Sequence, residues 1–308
     1  MGKSKEFNTK LKKVLFGLNF VDGLLYKLVI YTLLISFSYI YLYPLLYMIT
    51  NSFMGSSDLI NDGVKWIPTH IELTNYKQAW VVLDIKKSFI STFWYVLKVS
   101  VLSTASTALI GYGFAKFEFP LKKLLFVLML ITFILPTQVT MSSNILIIRK
   151  LGLVSTQGAM IYPALLGQGL NAAIFILIFY QFFKTLPTVL SESAEIDGAN
   201  EMKIFTKIAL PLAIPSIVIV FLFSFVWYWN ETYITGLFTG DATTLPLKLL
   251  SFKASYAELF PPGSSGAALN EGVVLAGNML VILPLLIIYF IGQKNFTESI
   301  DRTGITGE

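Results

Sequence analysis

Six stretches of this chain are long and apolar enough to cross a bilayer, and that limits the folds open to it. A membrane span needs about 20 mostly apolar residues. Residues 27–50, 88–114, 122–145, 158–182, 209–235 and 273–293 each qualify. A backbone surrounded by lipid must satisfy its own hydrogen bonds, so spans of this length are helices. The expected fold is an all-α membrane protein, a bundle of six transmembrane helices. Composition agrees, because 55% of the 308 residues are hydrophobic and only 13% are charged. Soluble domains carry about 25% charged residues. The expected organisation is an N-terminal segment at 1–23, a membrane domain at 24–294 and a tail at 295–308. Lys3, Lys5, Lys10, Lys12 and Lys13 imitate a signal-peptide n-region. The apolar run behind them is too long for an h-region and no small-x-small cleavage site follows, so the first span is read as retained.

Orientation is read from lysine and arginine, which stay in excess on the cytoplasmic side. An even number of spans puts both termini on one side, with the stretch at 183–208. That side holds fourteen of these residues and the other holds eight. Both termini and the 183–208 stretch are therefore expected in the cytoplasm of a multi-pass cell-membrane protein. The net charge of +5 comes from lysines near span ends and gives no argument for nucleic acid.

Catalytic and metal chemistry find little to work with. The chain has no cysteine and one histidine, His70, which excludes Cys/His metal clusters and thiol redox chemistry. It has no G-x-x-x-x-G-K-[ST], no H-E-x-x-H and no G-x-S-x-G. No cofactor and no catalytic residue are expected. Ionisable groups within spans mark ion-coupled carriers, and only Lys98 and Glu231 stand near enough to matter. Lys98 reads as snorkelling or pairing inside the bundle. Glu231 closes Trp227-Tyr228-Trp229-Asn230-Glu231, where the aromatics read either as an interfacial belt or as a platform for stacking sugar. Trp227, Trp229, Asn230 and Glu231 are thus the candidates for lining a substrate path. Ser103, Ala105, Ser106, Ala108, Gly111 and Gly113 give the second span the small residues that let helices approach closely in lipid. Pro44, Pro136, Pro163, Pro211, Pro215 and Pro284 punctuate the spans and suit a bundle that rocks or encloses a cavity.

One polar stretch, 186–215, breaks the apolar pattern. Glu192, Glu195, Asp197 and Glu201 fall within ten residues. Pro187 and Thr188 start a helix, with the Thr188 hydroxyl expected to cap it. Carboxylates near the N-terminal half suit the helix dipole. Gly198 takes a positive φ and ends the helix. Asn200 caps a second helix, whose apolar side is Ile204, Phe205 and Ile208. Pro211 then opposes simple continuation into the next span. Four carboxylates argue against a linker lying on anionic lipid. The expectation is a helix–glycine–helix handle for a soluble partner, with Phe205 and its neighbours filling a pocket there.

At this stretch the sequence resembles the permease subunits of bacterial ABC importers, whose motif reads roughly E-A-A-x-x-x-G ahead of Leu-Pro. Here it stands as Glu192-Ser193-Ala194-Glu195-Ile196-Asp197-Gly198, ending at Leu210-Pro211. Matches at 111–120, Leu135 to Thr140, Leu151 to Thr156, Trp229-Asn230-Glu231 and Gln293 to Phe296 resemble the carbohydrate-uptake branch, typified by maltose-like importers. The resemblance implies a permease that forms half of a translocation pathway with a second, related permease subunit. Two ATPase subunits, which bind the Mg-ATP, sit below, and an extracytoplasmic solute-binding protein delivers sugar; the aromatic side chains and two bulky outer loops are compatible with an oligosaccharide. Carried over, Glu192, Ser193, Ala194, Asp197, Gly198 and Phe205 dock the ATPase, within a coupling element at 186–210. The outer loop at 236–272 resembles one that reaches the binding protein, and the tail at 295–308 one that approaches the ATPases. Ser193 replaces the motif's first alanine, Ser143 stands where proline is frequent, and the tail ending and the Pro261 to Gly266 insertion depart from the family. The alternatives are an importer of a non-sugar solute such as glycerol phosphates, disfavoured because Arg149 and Arg302 are the chain's two arginines, and a stand-alone secondary carrier.

Overall fold

The computed structural model describes residue 15 and residues 23–239, 244–264 and 266–304, with side chains to residue 293. The lysines at 3–13 and the expected tail contact lie outside the described residues. Among the described residues the regular elements are all helical. In chain order they are α1 (Leu24–Ser52), α2 (Ser56–Ile60), α3 (Thr74–Val82), α4 (Ile85–Lys116), α5 (Lys122–Ile134), α6 (Thr137–Lys150), α7 (Gly158–Leu165) and α8 (Ala172–Thr185). They continue with α9 (Thr188–Ile196), α10 (Glu201–Leu212), α11 (Ile214–Asn230), α12 (Tyr233–Thr239), α13 (Leu245–Leu250), α14 (Phe252–Leu259) and α15 (Glu271–Gly304).

Helices α1, α4 and the Glu271–Gln293 part of α15 are each long and apolar enough to span a membrane alone. Three bent pairs, α5 with α6, α8 with α9 and α10 with α11, raise the number of candidate spans to as many as six. The chain is an all-α transmembrane bundle, and several spans are less regular than hydropathy implied. The expected span at 122–145 breaks at Leu135-Pro136 with a bend of 105°. Proline cannot donate into the ladder and pushes the residue before it towards an extended conformation; Leu135 has ψ 126°. The expected span at 158–182 is two helices, α7 and α8, parted at 166–171. There the amide of Leu170 donates to the Tyr228 hydroxyl at 2.8 Å, so a group freed by the break is satisfied inside protein. The expected span at 209–235 starts at Ile214, after a 78° bend, and stops at Asn230. Pro44, Pro163 and Pro284 lie inside helices that run on through them.

The chain divides into two compact units, residues 1–78 with 270–279 and residues 79–269 with 280–308. In the first, α1 exposes nearly its whole apolar length, and only its polar end, Asn51 and Ser52, is buried. Asn75 donates from its side-chain amide to the carbonyls of Ser52 and Met54 at 3.0 and 2.8 Å. Ser52 shares a hydrogen bond with the Tyr76 hydroxyl at 2.8 Å. These bonds satisfy carbonyls that the end of α1 leaves without partners.

In the second unit α4 is the central helix, packed on α7, α8 and α11. Its small residues work as expected where they face inward. A Cβ on Gly111 would stand 2.6 Å from the Cβ of Phe179 and 3.0 Å from the Ile176 carbonyl oxygen, so only glycine permits this crossing of α4 over α8. Ser106 donates to the Ala164 carbonyl at 2.6 Å across the α4–α7 contact. Ala105 faces outward and Gly113 has open space around it, so neither serves packing within the chain. Lys98 stands exposed on α4, away from this core, as a snorkelling lysine does.

Candidate functional site

The polar stretch forms two short helices about a glycine. α9 begins at Thr188, with Pro187 as its N-cap. No side chain caps it, so the expected Thr188 cap is not made. Thr188 is already helical, and a cap must sit one residue earlier in an extended conformation. The helix ends as the sequence implied. Gly198 has φ +78°, its amide donates to the Glu195 carbonyl at 2.9 Å, and the Ala199 amide donates to Ala194 at 2.9 Å. This pair of bonds is a Schellman motif, which needs a residue in the left-handed region just past the helix end. Asn200 then caps α10, its side-chain oxygen accepting from the Lys203 amide at 2.9 Å. Glycine and asparagine together set the angle between the two helices.

α10 widens to a π turn over Phe205–Ala209 before reaching Pro211. Proline brings no amide hydrogen, and its ring crowds the carbonyl four residues back, that of Lys207. A one-residue slip in the ladder relieves both problems.

Phe205 is 8% exposed and turns into the chain itself. Its ring lies 4.9 Å from that of Tyr112 on α4 and 6.3 Å from that of Phe183 on α8. It belongs to a core with Ala108, Phe179, Ala209, Ala213 and Val220. The expectation that Phe205 fills a partner's pocket is corrected: the ring anchors α10 to this chain's own bundle. Two polar contacts hold the same junction. The Tyr112 hydroxyl donates to Glu201 at 3.4 Å, a long bond, and Lys116 donates to the Leu186 carbonyl at 3.1 Å.

The outward surface of the element is different from the one expected. Ile196 is 87% exposed, Val189 64% and Met202 60%. Val189, Ser193 and Ile196 lie at i, i+4 and i+7, one stripe of α9. Glu192, Glu195, Asp197 and Glu201 are all exposed around them, Ala194 is half-buried, and Gly198 has nothing within 4 Å of where a Cβ would stand. An apolar stripe ringed by carboxylates suits a hydrophobic groove with a basic rim. Sequence reasoning named the inward apolar side of α10 and missed this outward one. The signal available was the i, i+4, i+7 spacing of Val189, Ser193 and Ile196.

Of the other candidate group, Trp229 does not line a path. Trp229 has no exposed surface. It stacks on Phe225 at 5.9 Å, meets Phe89 edge-on at 6.2 Å and donates from its indole nitrogen to the Val281 carbonyl at 3.3 Å. A ring buried on both faces cannot stack on a sugar, so Trp229 is a core residue. Trp227 is half-buried, stacked on Phe175 at 5.2 Å. Glu231 accepts from the amides of Ile234 and Thr235 at 2.8 and 2.6 Å, which makes it the cap of α12. Asn230 is exposed, with its amide donated to the Val226 carbonyl at 2.9 Å. The described residues hold no group of three or more His, Cys, Asp or Glu placed to bind a metal.

Fold and element together define a helical membrane protein that carries an exposed helix–glycine–helix. The chain belongs to the family described as binding-protein-dependent transport system inner membrane components, whose model matches residues 107–302 and so includes the whole element. It is 29% identical over 275 residues to the arabinooligosaccharides transport system permease protein AraQ of Halalkalibacterium halodurans, covering 88% of this chain and 93% of that one. It is 27% identical over 281 residues to the polygalacturonan/rhamnogalacturonan transport system permease protein YtcP of Bacillus subtilis, covering 89% and 96%. A chain of a crystal structure of a bacterial ABC transporter that imports the acidic polysaccharide alginate shares its fold, with a TM-score of 0.72 at 21% identity over 88% of this chain and 96% of that chain.

Proposed function

We propose that this chain is the permease subunit of an ATP-driven, binding-protein-dependent importer of oligosaccharides. It forms half of the translocation pathway with a second permease subunit and couples to a separate ATPase through residues 186–210. The observation that carries the reading is the exposed, acid-rimmed stripe on α9, a surface left uncovered by the described residues. The family match over 107–302 supports a transport role, and relatives named for arabinooligosaccharide and polygalacturonan transport support a saccharide cargo.

On this reading the surface at Val189, Ile196 and Met202 enters the ATPase groove, and Glu192, Asp197 and Glu201 meet basic groups at its rim. Gly198 sets the bend. The 186–210 element and both termini face the cytoplasm, and the solute-binding protein approaches from the opposite side. Closure of the ATPases on ATP moves α9 and α10. Because Phe205, Tyr112 and Lys116 tie them to α4 and α8, the motion reaches the bundle and shifts it between inward- and outward-open states. An interface of about 800 Å² per side is an ordinary size for such a contact. The test is ATP hydrolysis by the assembled transporter in liposomes, with and without sugar-loaded binding protein. Stimulation by the loaded protein is expected. Oligosaccharide uptake by liposomes holding this chain without an ATPase would refute the reading.

A further inference from the structure

The connector that follows the first span carries apolar side chains with no cover from its own unit. Ile60 is 83% exposed, Ile67 82% and Ile71 68%. The connector is nonetheless fixed in place. Asp58 accepts from the Thr69 amide at 2.8 Å and from the Thr69 hydroxyl at 2.7 Å, and these two bonds hold its carboxyl below the usual carboxylate range. Trp66 meets Tyr43 of α1 edge-on at 5.4 Å.

That ring contact sets a depth. The apolar span of α15 starts at Glu271 and runs 23 residues to Gln293. At about 1.5 Å per residue it is just long enough for a hydrocarbon core of about 30 Å. Glu271 therefore marks the level of the headgroups. The Tyr47 hydroxyl donates to Glu271 at 3.2 Å, which puts Tyr47 at that level. Tyr43 lies one turn deeper along α1, about 6 Å further into the bilayer. α1 is consistent with that level: its 29 residues extend about 44 Å, more than the core of about 30 Å, and its polar end at Asn51 and Ser52 follows Tyr47. Trp66, packed against Tyr43, lies at or below the headgroup level, and Ile67 follows it.

Tryptophan and tyrosine belong at this boundary, where an apolar ring and a polar edge both find partners. An apolar side chain left open at this depth has acyl chains for neighbours. We propose that Trp66 and Ile67 form a lipid-binding surface seated in the bilayer interface, at the headgroup–acyl boundary. The first connector is then held down on the membrane at Trp66 and Ile67, and does not stand free in water. The surface depends on the membrane-spanning fold alone and not on the ATPase or the cargo proposed above.

The chain contains no cysteine, so single cysteines report without background. Ile67→Cys and, as the water-exposed comparison, Asp62→Cys are labelled with a nitroxide in the full transporter, reconstituted in phosphatidylcholine vesicles. Both positions are exposed, so neither label disturbs packing. Collisions with oxygen, which concentrates in lipid, and with a water-soluble nickel chelate are then measured. The expected result at Ile67 is strong oxygen broadening and loss of most of the nickel broadening seen at Asp62. Nickel broadening equal to that at Asp62 would overturn the proposal by placing the segment in water. Weak broadening by both reagents would overturn it by showing that protein covers the site.

Discussion

Phe205→Ala tests whether the aromatic of the docking element serves this chain or its partner. The ring is 8% exposed, lies against Tyr112 and Phe183, and shares a core with Ala209 and Val220, all of them this chain's own residues. Cutting a buried phenylalanine to alanine costs about 3–5 kcal/mol, part from lost contacts and part from the cavity left behind. Lipid-embedded packing gains little from the hydrophobic effect, so the lower end, about 3 kcal/mol, is the better figure. At roughly 2–4 °C per kcal/mol for a chain of this general size, the melting temperature falls by roughly 6–12 °C. The assay is thermal unfolding of the permease in mild detergent, expressed without the ATPase. The loss should appear in full under those conditions, because the contacts are internal. An unchanged melting temperature, together with failure to retain the ATPase, would refute the assignment of Phe205 to the bundle core.

Ile196→Asp is the complementary change: the residue is 87% exposed, so stability should move by less than about 0.5 kcal/mol, while co-purification of the ATPase is lost. Gly198→Asp should abolish sugar-stimulated ATP hydrolysis yet leave the protein in the membrane; the left-handed φ of +78° costs a non-glycine residue about 1–2 kcal/mol, and stimulated ATPase at the parent level would count against the bend. Gly111→Leu should prevent accumulation in the membrane, since even a Cβ there meets Phe179 at 2.6 Å and overpacking adds about 1–3 kcal/mol or more; membrane fractionation reads the outcome. Trp229→Ala should lower thermal stability without selectively raising the KM for sugar uptake, because the ring is buried on both faces.

Features set by local backbone chemistry were legible in the sequence. A glycine and an asparagine at fixed distance announced the Schellman ending at Gly198 and the cap at Asn200, and both are present. The apolar composition announced a transmembrane bundle. The direction in which apolar residues face was not legible. Ile204, Phe205 and Ile208 read as an apolar side in either case, and the pattern does not say whether that side meets the chain's own bundle or a partner. The same ambiguity made Trp229 look like a belt or a platform when it is core. Breaks within spans were hidden for a related reason. Hydropathy runs on through Leu135-Pro136 and through 166–171, and a bend of 105° costs no apolar residues. Thr188 was misread by one position because a helix starting after Pro187 leaves the threonine inside it.

The claim that α9 presents a docking surface is tested most directly at Ile196. With no native cysteine in the chain, Ile196→Cys can be challenged with a water-soluble maleimide and with a short cross-linker, in the assembled transporter and in the permease without the ATPase. The account predicts rapid labelling of the isolated permease, protection in the assembled transporter, and a cross-link to the ATPase subunit whose yield changes with ATP. Equal labelling in both states, with no cross-link to an ATPase, would contradict it.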